Sequence, residues 1–386
     1  MSQPVKKDRP AVESILIVED NQDDMQLLVQ TLETGGFRLL TAENGEKAIE
    51  KVKSGQPDLI MMDITMPEID GVEACRRLKE DPSTRDIPVI FISGLDETTD
   101  KVKGLDLGAV DYVSKPFEPL EVLARVRTHL NVYRLDREVK SKKDQLEHEL
   151  HMVSRIQYDL LPRNLPDMEG IKLGAHYRTS RYAGGDYYDV VELPGKKLGI
   201  MMADAEGHSA PATVRMAMTC VLFRACYESH DAPGPVLDSI NEHLLKVSEN
   251  SFITAIYAIY DTSDRTMRIA RAGHPMPLLR KSADRQVVEL QCEGVFPFGW
   301  QSYDSVPETE IRFQPGDQIL FYTDGITDRF NPETQRFGKE RLINLFQLSA
   351  DGKPQVTVES ITTELDRFAE GRPTDDDQTF LVFAMD

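Results

Sequence analysis

Residues 59–71 read L-I-M-M-D-I-T-M-P-E-I-D-G, an aliphatic run that ends on Asp63 and then turns through a segment holding Pro67 and Gly71. Leu59–Met62 is too short for a helix and shows no polar alternation, which suits a strand buried on both faces. Ile15–Val18 and Val89–Ile92 repeat the pattern, and Asp111–Val113 is a shorter echo. Between these runs apolar residues recur three and four apart, as at Met25, Leu28 and Leu32 or at Ala74 and Leu78. Buried strands alternating with amphipathic helices predict a doubly wound, five-stranded parallel α/β sheet over residues 13–133.

In such a sheet the functional groups collect at the carboxyl ends of the strands. Read in order, those ends carry Glu19 and Asp20, then Asp63, then Ser93, then Lys115 before Pro116. Three carboxylates on one rim repel one another unless a cation sits among them, and hard oxygen donors favour Mg²⁺. A carboxylate beside Mg²⁺ can accept a phosphoryl group as an aspartyl phosphate, with Lys115 and Ser93 placed to hold its oxygens. The motifs V-E-D-N, D-I-T-M-P-E-I-D-G, F-I-S-G and D-Y-V-S-K-P-F resemble the marks of two-component receiver domains. That resemblance implies Asp63 as phosphoacceptor, Glu19, Asp20 and the Thr65 backbone at Mg²⁺, and Ser93 and Lys115 at the phosphate. It also implies an aromatic switch residue at Tyr112 and a cognate histidine kinase as partner.

The balance of 45 basic against 65 acidic residues, a net charge of −20, argues against sequence-independent nucleic-acid binding, which needs clustered Lys and Arg. The same balance disfavours docking on an anionic membrane. Cys75, Cys220, Cys226 and Cys292 are scattered without C-x-x-C pairing, as expected of reduced thiols in a cytoplasmic protein. No apolar run approaches the ~20 residues needed to span a bilayer, and the first residues lack the apolar core of a signal peptide.

Residues 134–161 contain neither Gly nor Pro and read as one helix, with Pro162 and Pro166 closing a linker over 134–165. Leu135, Val139, Leu146, Leu150, Val153, Ile156 and Leu160 make an apolar stripe at spacings of three, four and seven. A long amphipathic helix needs a partner surface, either a second chain in a parallel coiled coil or its own neighbouring domain.

From residue 166 to 386 the pattern changes to short strand-like runs: Gly170–His176, Lys197–Met202, Phe252–Tyr260, Thr266–Arg271, Gln318–Tyr322 and Thr379–Met385. Helical stretches near Ala212–Ser229 and Val236–Ser248 interrupt them, predicting an α+β domain, a β-sandwich flanked by helices. Acids punctuate the strand ends in small-residue contexts: A-G-G-D-Y-Y-D, M-A-D-A-E-G-H-S, Y-T-D-G-I-T-D and D-D-D-Q-T-F-L-V. Glycine beside an acid lets the backbone turn tightly, so that carboxylates from several strands can share one site. A carboxylate cluster without His or Cys spacing suggests Mg²⁺ or Mn²⁺ rather than Zn²⁺. Two such ions, roughly 3.5–4 Å apart, can bind a phosphoryl oxygen and activate water for in-line attack.

The order of these motifs resembles the type 2C metal-dependent serine/threonine phosphatases, in the branch regulating bacterial sporulation and stress sigma factors. R-I-Q-Y-D-L-L-P, R-A-G-H-P-M-P-L-L and G-V-F-P-F-G add to the likeness, which runs from residue 156 to 386. It implies metal ligation by Asp186, Asp204, Asp324 and Asp376, with the Ala205 carbonyl as a backbone ligand. Asp377, one residue along, can exchange roles with Asp376. The sequence departs from the family pattern at Glu206 and Ser209, where a small residue and a glycine are usual, but no ligand is lost. His274 is expected to pack rather than act as a general acid, and Arg178 and Arg181 to lie at the surface.

These readings predict a response regulator whose output is metal-dependent dephosphorylation of phosphoserine or phosphothreonine proteins, with an anti-sigma-factor antagonist as substrate and a homodimer as the assembled form. The alternative is a non-catalytic adaptor that binds a partner through its phosphatase-like domain. A binding-only domain has no physical need of four converging carboxylates. A transcription factor is disfavoured because no basic recognition helix follows the receiver.

Overall fold

The computed structural model describes residues 12–94, 106–180, 183–207, 210–247, 251–349 and 352–386. The chain divides into two compact units, Met1–Gln145 and Leu146–Asp386.

In the first unit, strands β1 (Ser14–Val18), β2 (Arg38–Ala42), β3 (Leu59–Asp63), β4 (Val89–Ser93) and β5 (Asp111–Ser114) form a sheet of order 2-1-3-4-5. Every pairing is parallel, as the continuous aliphatic runs predict. Each residue of β1, β3 and β4 is buried, because helices cover both faces. Helices α1 (Gln22–Glu33), α2 (Gly45–Gly55) and α3 (Gly71–Glu80) start on side-chain caps that their sequences announce. Asn21 accepts from the Asp23 and Asp24 amides, and Asp70 from the Glu73 amide.

Helix α4 runs unbroken from Pro119 to Leu160. It therefore begins well before residue 134, where the absence of breakers had suggested a separate linker helix. Pro119 stands at the first helical position, where its missing N–H costs nothing, and no Gly or Pro follows it within the helix. Val122, Val126 and Leu130 belong to the core of the parallel sheet, whereas Leu135, Val139, Leu146 and Ile156 are each about half exposed or more. Leu160 does not join that exposed stripe; it packs on the core of the second unit beside buried Leu161.

The second unit stacks two antiparallel five-stranded sheets. One has the order β13 (Glu308–Arg312), β10 (Thr266–Ala272), β9 (Ile253–Asp261), β8 (Lys197–Ala205), β7 (Asp186–Leu193). The other runs β12 (Val287–Glu289), β11 (Leu278–Arg280), β14 (Gln318–Tyr322), β15 (Gln378–Met385), β6 (Ile171–Arg178). Ile200, Met202 and Ile256 meet Ile319, Leu381 and Phe383 between the sheets. Helices α5 (Ala210–Cys226) and α6 (Pro233–Leu244) cover the outer face of the first sheet through Met216, Phe223, Val236 and Ile240. Helices α8 (Gly338–Gln347) and α9 (Pro354–Ala369) cover the second through Leu342, Phe346, Ile361 and Leu365; short α7 (Asp324–Thr327) precedes them. β15 is buried along its whole length because its alternate residues face helices and sheet.

The expected helix over 212–229 is α5 followed by one 3-10 turn, Tyr227–Ser229; the helix expected to reach Ser248 ends at Leu244, and Ser248 lies outside the described residues. Strands β7 and β11–β13 and helices α8 and α9 extend the sandwich beyond the elements legible in the sequence. Cys75, Cys220 and Cys292 are buried thiols and Cys226 is half-buried; none is in a disulfide. Among the described residues no helix is long and apolar enough to cross a membrane.

Candidate functional site

At the carboxyl rim of the parallel sheet, Glu19 follows β1, Asp63 closes β3, Ser93 closes β4 and Lys115 follows β5. Glu19, Asp20 and Asp63 each offer an oxygen within 4.8 Å of the others, the one such acidic group among the described residues. The all-oxygen donor set suits a hard, partly hydrated cation such as Mg²⁺. Lys115 Nζ lies 2.5 Å from Asp63 Oδ2 and 2.9 Å from both Glu19 Oε2 and Asp24 Oδ2. Asp24 was not singled out in the sequence; it comes to the site from the first turn of α1. Burial pushes the Glu19 carboxyl up to about 7, with Lys115 opposing the shift and the Asp63 charge adding to it. The Thr65 amide donates to Asp63 Oδ1 at 3.0 Å, which fixes that carboxylate's orientation. Ser93 is fully buried and its Oγ has no hydrogen-bond partner. Tyr112 on β5 is 37 % exposed, with its backbone amide bonded to Asp111 Oδ1.

In the second unit, antiparallel pairing places Asp186 opposite Asp204 at the ends of β7 and β8. Asp186 is sealed beneath the surface, and its Oδ2 accepts from Thr323 Oγ1 at 2.8 Å and Thr379 Oγ1 at 2.6 Å. Those threonines come from the ends of β14 and β15, so both sheets hold one carboxylate. Neither was a sequence candidate, although Thr323 lies within Y-T-D-G-I-T-D and Thr379 within D-D-D-Q-T-F-L-V. Asp204 is half-buried; Asp324, opening α7, and Asp376, preceding β15, reach solvent. Gly325 follows Asp324 where a Cβ would stand 1.9 Å from the Asp377 carbonyl, so only glycine lets these two acid loops close.

The acids feel one another. Burial, then Asp324, Asp376 and Asp377, push Asp204 up to about 8. Burial and then Asp204 and Asp377 hold Asp186 well above the carboxylate range, against the two threonine bonds. Partial burial followed by Asp376 and Asp328 raises Asp324. Like charges gathered at strand ends cost stability, and a divalent cation among them reverses that cost. An oxygen-only set of this kind fits Mg²⁺ or Mn²⁺.

The neighbouring pair Asp376–Asp377 divides its work. Asp377 is buried and its two oxygens accept from the Ser180 amide at 2.7 Å and the Gly185 amide at 2.6 Å. Asp376 Oδ1 accepts from the Asp377 amide at 2.9 Å. The Ala205 amide donates to the Gly185 carbonyl at 3.2 Å. Buried His274 bonds Thr254 at 2.9 Å through Nδ1, and burial followed by Arg271 lowers it to about 3, so it packs as a neutral ring. Arg178 pairs with Asp366 at 2.6 Å at the surface. Arg181 and Ser209 lie outside the described residues.

Residues 15–127 match the response regulator receiver domain, and residues 194–386, half of the chain, match stage II sporulation protein E. The first region is 42% identical over 116 residues to the alkaline phosphatase synthesis transcriptional regulatory protein PhoP of Bacillus subtilis, covering 30% of this chain and 48% of that one. It is 40% identical over 117 residues to the phosphate regulon transcriptional regulatory protein PhoB of Pseudomonas aeruginosa, covering 30% and 51%. The chain thus spans about half the length of the curated relatives it matches. The SiaA-PP2C domain of Pseudomonas aeruginosa superposes with a TM-score of 0.56 at 20% identity, covering 64% of this chain and 99% of that one. The RsbU and RsbW domains of Rv1364c from Mycobacterium tuberculosis superpose at 0.51 and 22%, covering 58% and 63%. At such identities the likeness is one of fold.

Proposed function

The chain belongs to the stage II sporulation protein E family and carries a response regulator receiver domain ahead of that region, and from this we propose that it is a phosphorylation-controlled, metal-dependent serine/threonine protein phosphatase. The observation that carries the reading is the acid set around Asp204: Asp186 held from below by Thr323 and Thr379, with Asp324 and Asp376 open above. A surface that only bound a partner would gain nothing from carboxylates that raise one another's proton affinity.

In this reading residues 13–133 are the receiver, 134–165 the connector and 166–386 the phosphatase. Asp186, Asp204, Asp324, Asp376 and the Ala205 carbonyl hold Mn²⁺ or Mg²⁺, and Asp377 orders the turn beneath them. The bound metal supplies a positive centre for the phosphoryl oxygens and a water of lowered pKa. Asp63 is the phosphoacceptor, with Glu19, Asp20 and the Thr65 backbone at Mg²⁺ and Ser93, Lys115 and Tyr112 registering the phosphate. A histidine kinase supplies the phosphoryl group in the cytoplasm. The protein substrate is an anti-sigma-factor antagonist bearing phosphoserine or phosphothreonine, and the exposed stripe of α4 pairs two chains.

Hydrolysis of p-nitrophenyl phosphate by the full chain tests the core of the proposal. Turnover should require added Mn²⁺ or Mg²⁺ and stop with chelator; chelator-resistant turnover, or none under any metal, overturns it.

A further inference from the structure

Gln157 is 1% exposed, although its neighbours Ile156 and Tyr158 on α4 are 62% and 49% exposed. A polar side chain sealed this completely must satisfy its hydrogen bonds inside the protein. Its Oε1 accepts from the Gly184 amide at 2.9 Å, and its Nε2 donates to the Gly184 carbonyl at 2.9 Å and to Tyr177 Oη at 2.6 Å. The amide therefore pairs with both backbone groups of one residue, as a neighbouring strand would. The Gly184 N–H fixes its orientation, because a flipped amide would set donor against donor. Tyr177 Oη, having accepted from Gln157, is left with its proton for the Asp186 carbonyl at 3.4 Å.

The residue so gripped opens the turn that frames the acid site. A Cβ on Gly184 would stand 1.9 Å from Asp377 Oδ2, so this backbone lies directly on that carboxylate. Next in the chain, Gly185 gives its amide to Asp377 and its carbonyl to the Ala205 amide, and Asp186 follows.

We infer that Gln157 is a positioning residue for the metal site: by clamping the Gly184 peptide from the end of α4, it sets where Asp186, Asp377 and Ala205 stand. Gln157 touches no reacting atom. It acts through the turn, as outer groups that orient metal ligands do. This inference rests on the metallophosphatase reading and names the residue that ties that site to the connector helix.

Calorimetric titration of the full chain with Mn²⁺ tests it, in an Asp20→Asn, Asp63→Asn background that silences the receiver acids. Gln157→Met keeps the side-chain length and removes both polar ends, and should weaken Mn²⁺ binding by about 10–100-fold. Tyr177→Phe removes a single hydroxyl while keeping the ring, and should weaken it by about fivefold, one hydrogen bond's worth. A purely structural role would lower the metal-free melting temperature and leave affinity unchanged. Parental affinity in both folded variants overturns the inference; if Gln157→Met does not fold, parental affinity in Tyr177→Phe does so alone. Absence of Mn²⁺ binding in the parent overturns the metallophosphatase reading itself, and this inference with it.

Discussion

Arg224 Nε donates to Asp189 Oδ2 at 2.9 Å, and the Nη2 of the same guanidinium donates to the Leu160 carbonyl at 2.7 Å. Asp189 is the second acid of the D-Y-Y-D motif, buried on β7, and it also accepts from Tyr187 Oη at 2.7 Å and from the Val190 amide at 3.0 Å. Arg224 thus joins the strand that begins with Asp186 to the last carbonyl of α4, where a positive charge complements the helix dipole. One acid of the motif faces the candidate metal site; the other anchors the helix end.

Replacing Arg224 with Met should destabilise the second unit by about 1–3 kcal/mol, because Asp189 keeps two hydrogen bonds but loses its counter-charge. The value belongs toward the lower end, since the Arg224 side chain is 42% exposed. Trp300, the chain's single tryptophan, can follow urea unfolding. Adding Asp189→Asn to Arg224→Met should recover part of the loss; no recovery would show that the charge is not what matters.

Asp204 makes a prediction without metal. Its folded-state value of about 8 lies above the 3.8 of an unperturbed Asp, so the folded state holds a proton that the unfolded chain has released. Stability is therefore lost as pH rises from about 4 toward 8. In chelator, Asp204→Asn should be more stable than wild type at pH 8 and lack phosphatase activity when metal is restored. A less stable variant at pH 8 would mean that the acids do not repel as their geometry implies.

His176 and His274 titrate in the opposite sense. Burial lowers them to about 4 and about 3 from 6.5, with the charges of Arg178 and Arg271 adding to the effect. Both are neutral in the fold, so their stabilisation is full above pH 6.5 and falls as acid protonates the unfolded chain first. By pH 5 each should have cost about 2 kcal/mol relative to neutral pH. His176→Leu should remove about half of that combined loss from the Trp300-monitored transition; an unchanged pH profile would place the titration elsewhere.

The receiver rim was legible because its acids follow uninterrupted aliphatic runs, and strand ends are where such a sheet gathers its chemistry. The acids of the second unit were legible for a related reason: Asp186, Asp204 and Asp324 each adjoin glycine or another small residue at a strand end, and Asp376 precedes the apolar run of β15. What escaped is the set of groups whose roles depend on distant chain. Thr323 and Thr379 meet Asp186 across separations of 137 and 193 residues, and Gln157 meets Gly184 across 27. No local period marks them. The start of α4 escaped for the converse reason: between Val122, in the parallel-sheet core, and exposed Leu135 nothing breaks the helix, so one element serves as both receiver helix and connector.

Assembly is tested on α4. Leu135, Val139, Leu146 and Ile156 keep about half or more of their surface exposed on one helix, an apolar stripe that a second copy would cover. Substituting Leu146 and Val153 together by Glu would place like charges in the seam. Light scattering should then shift from dimer to monomer at micromolar concentration. A monomeric parent chain would remove the coiled coil from the account.

The last prediction joins receiver and phosphatase: phosphorylation at Asp63 changes turnover. Lys115 already bridges Asp63, Glu19 and Asp24, so a phosphoryl group on Asp63 must draw that ammonium into a new arrangement. Among the described residues, the unpartnered Ser93 hydroxyl is a second group at this rim that can answer the added oxygens. Ser93 closes β4 and Lys115 follows β5, and Tyr112, 37% exposed, lies on β5 opposite Phe91 of β4. Asp111, at the start of β5, is bound by Arg125 at 2.7 Å and His129 at 3.0 Å, both on α4. The same helix ends in Gln157 and Leu160, which hold the Gly184 turn and the Arg224 bridge. One continuous helix thus touches β5 near one end and the Gly184 turn near the other, and the prediction is that it carries the coupling. A coupling of roughly 1–3 kcal/mol corresponds to a change in turnover of about 5- to 150-fold, with activation the expected sign. Turnover of p-nitrophenyl phosphate with and without beryllofluoride or acetyl phosphate, in wild type and in Asp63→Asn, measures it. Equal rates in all four conditions would show two domains that share a chain without sharing a switch.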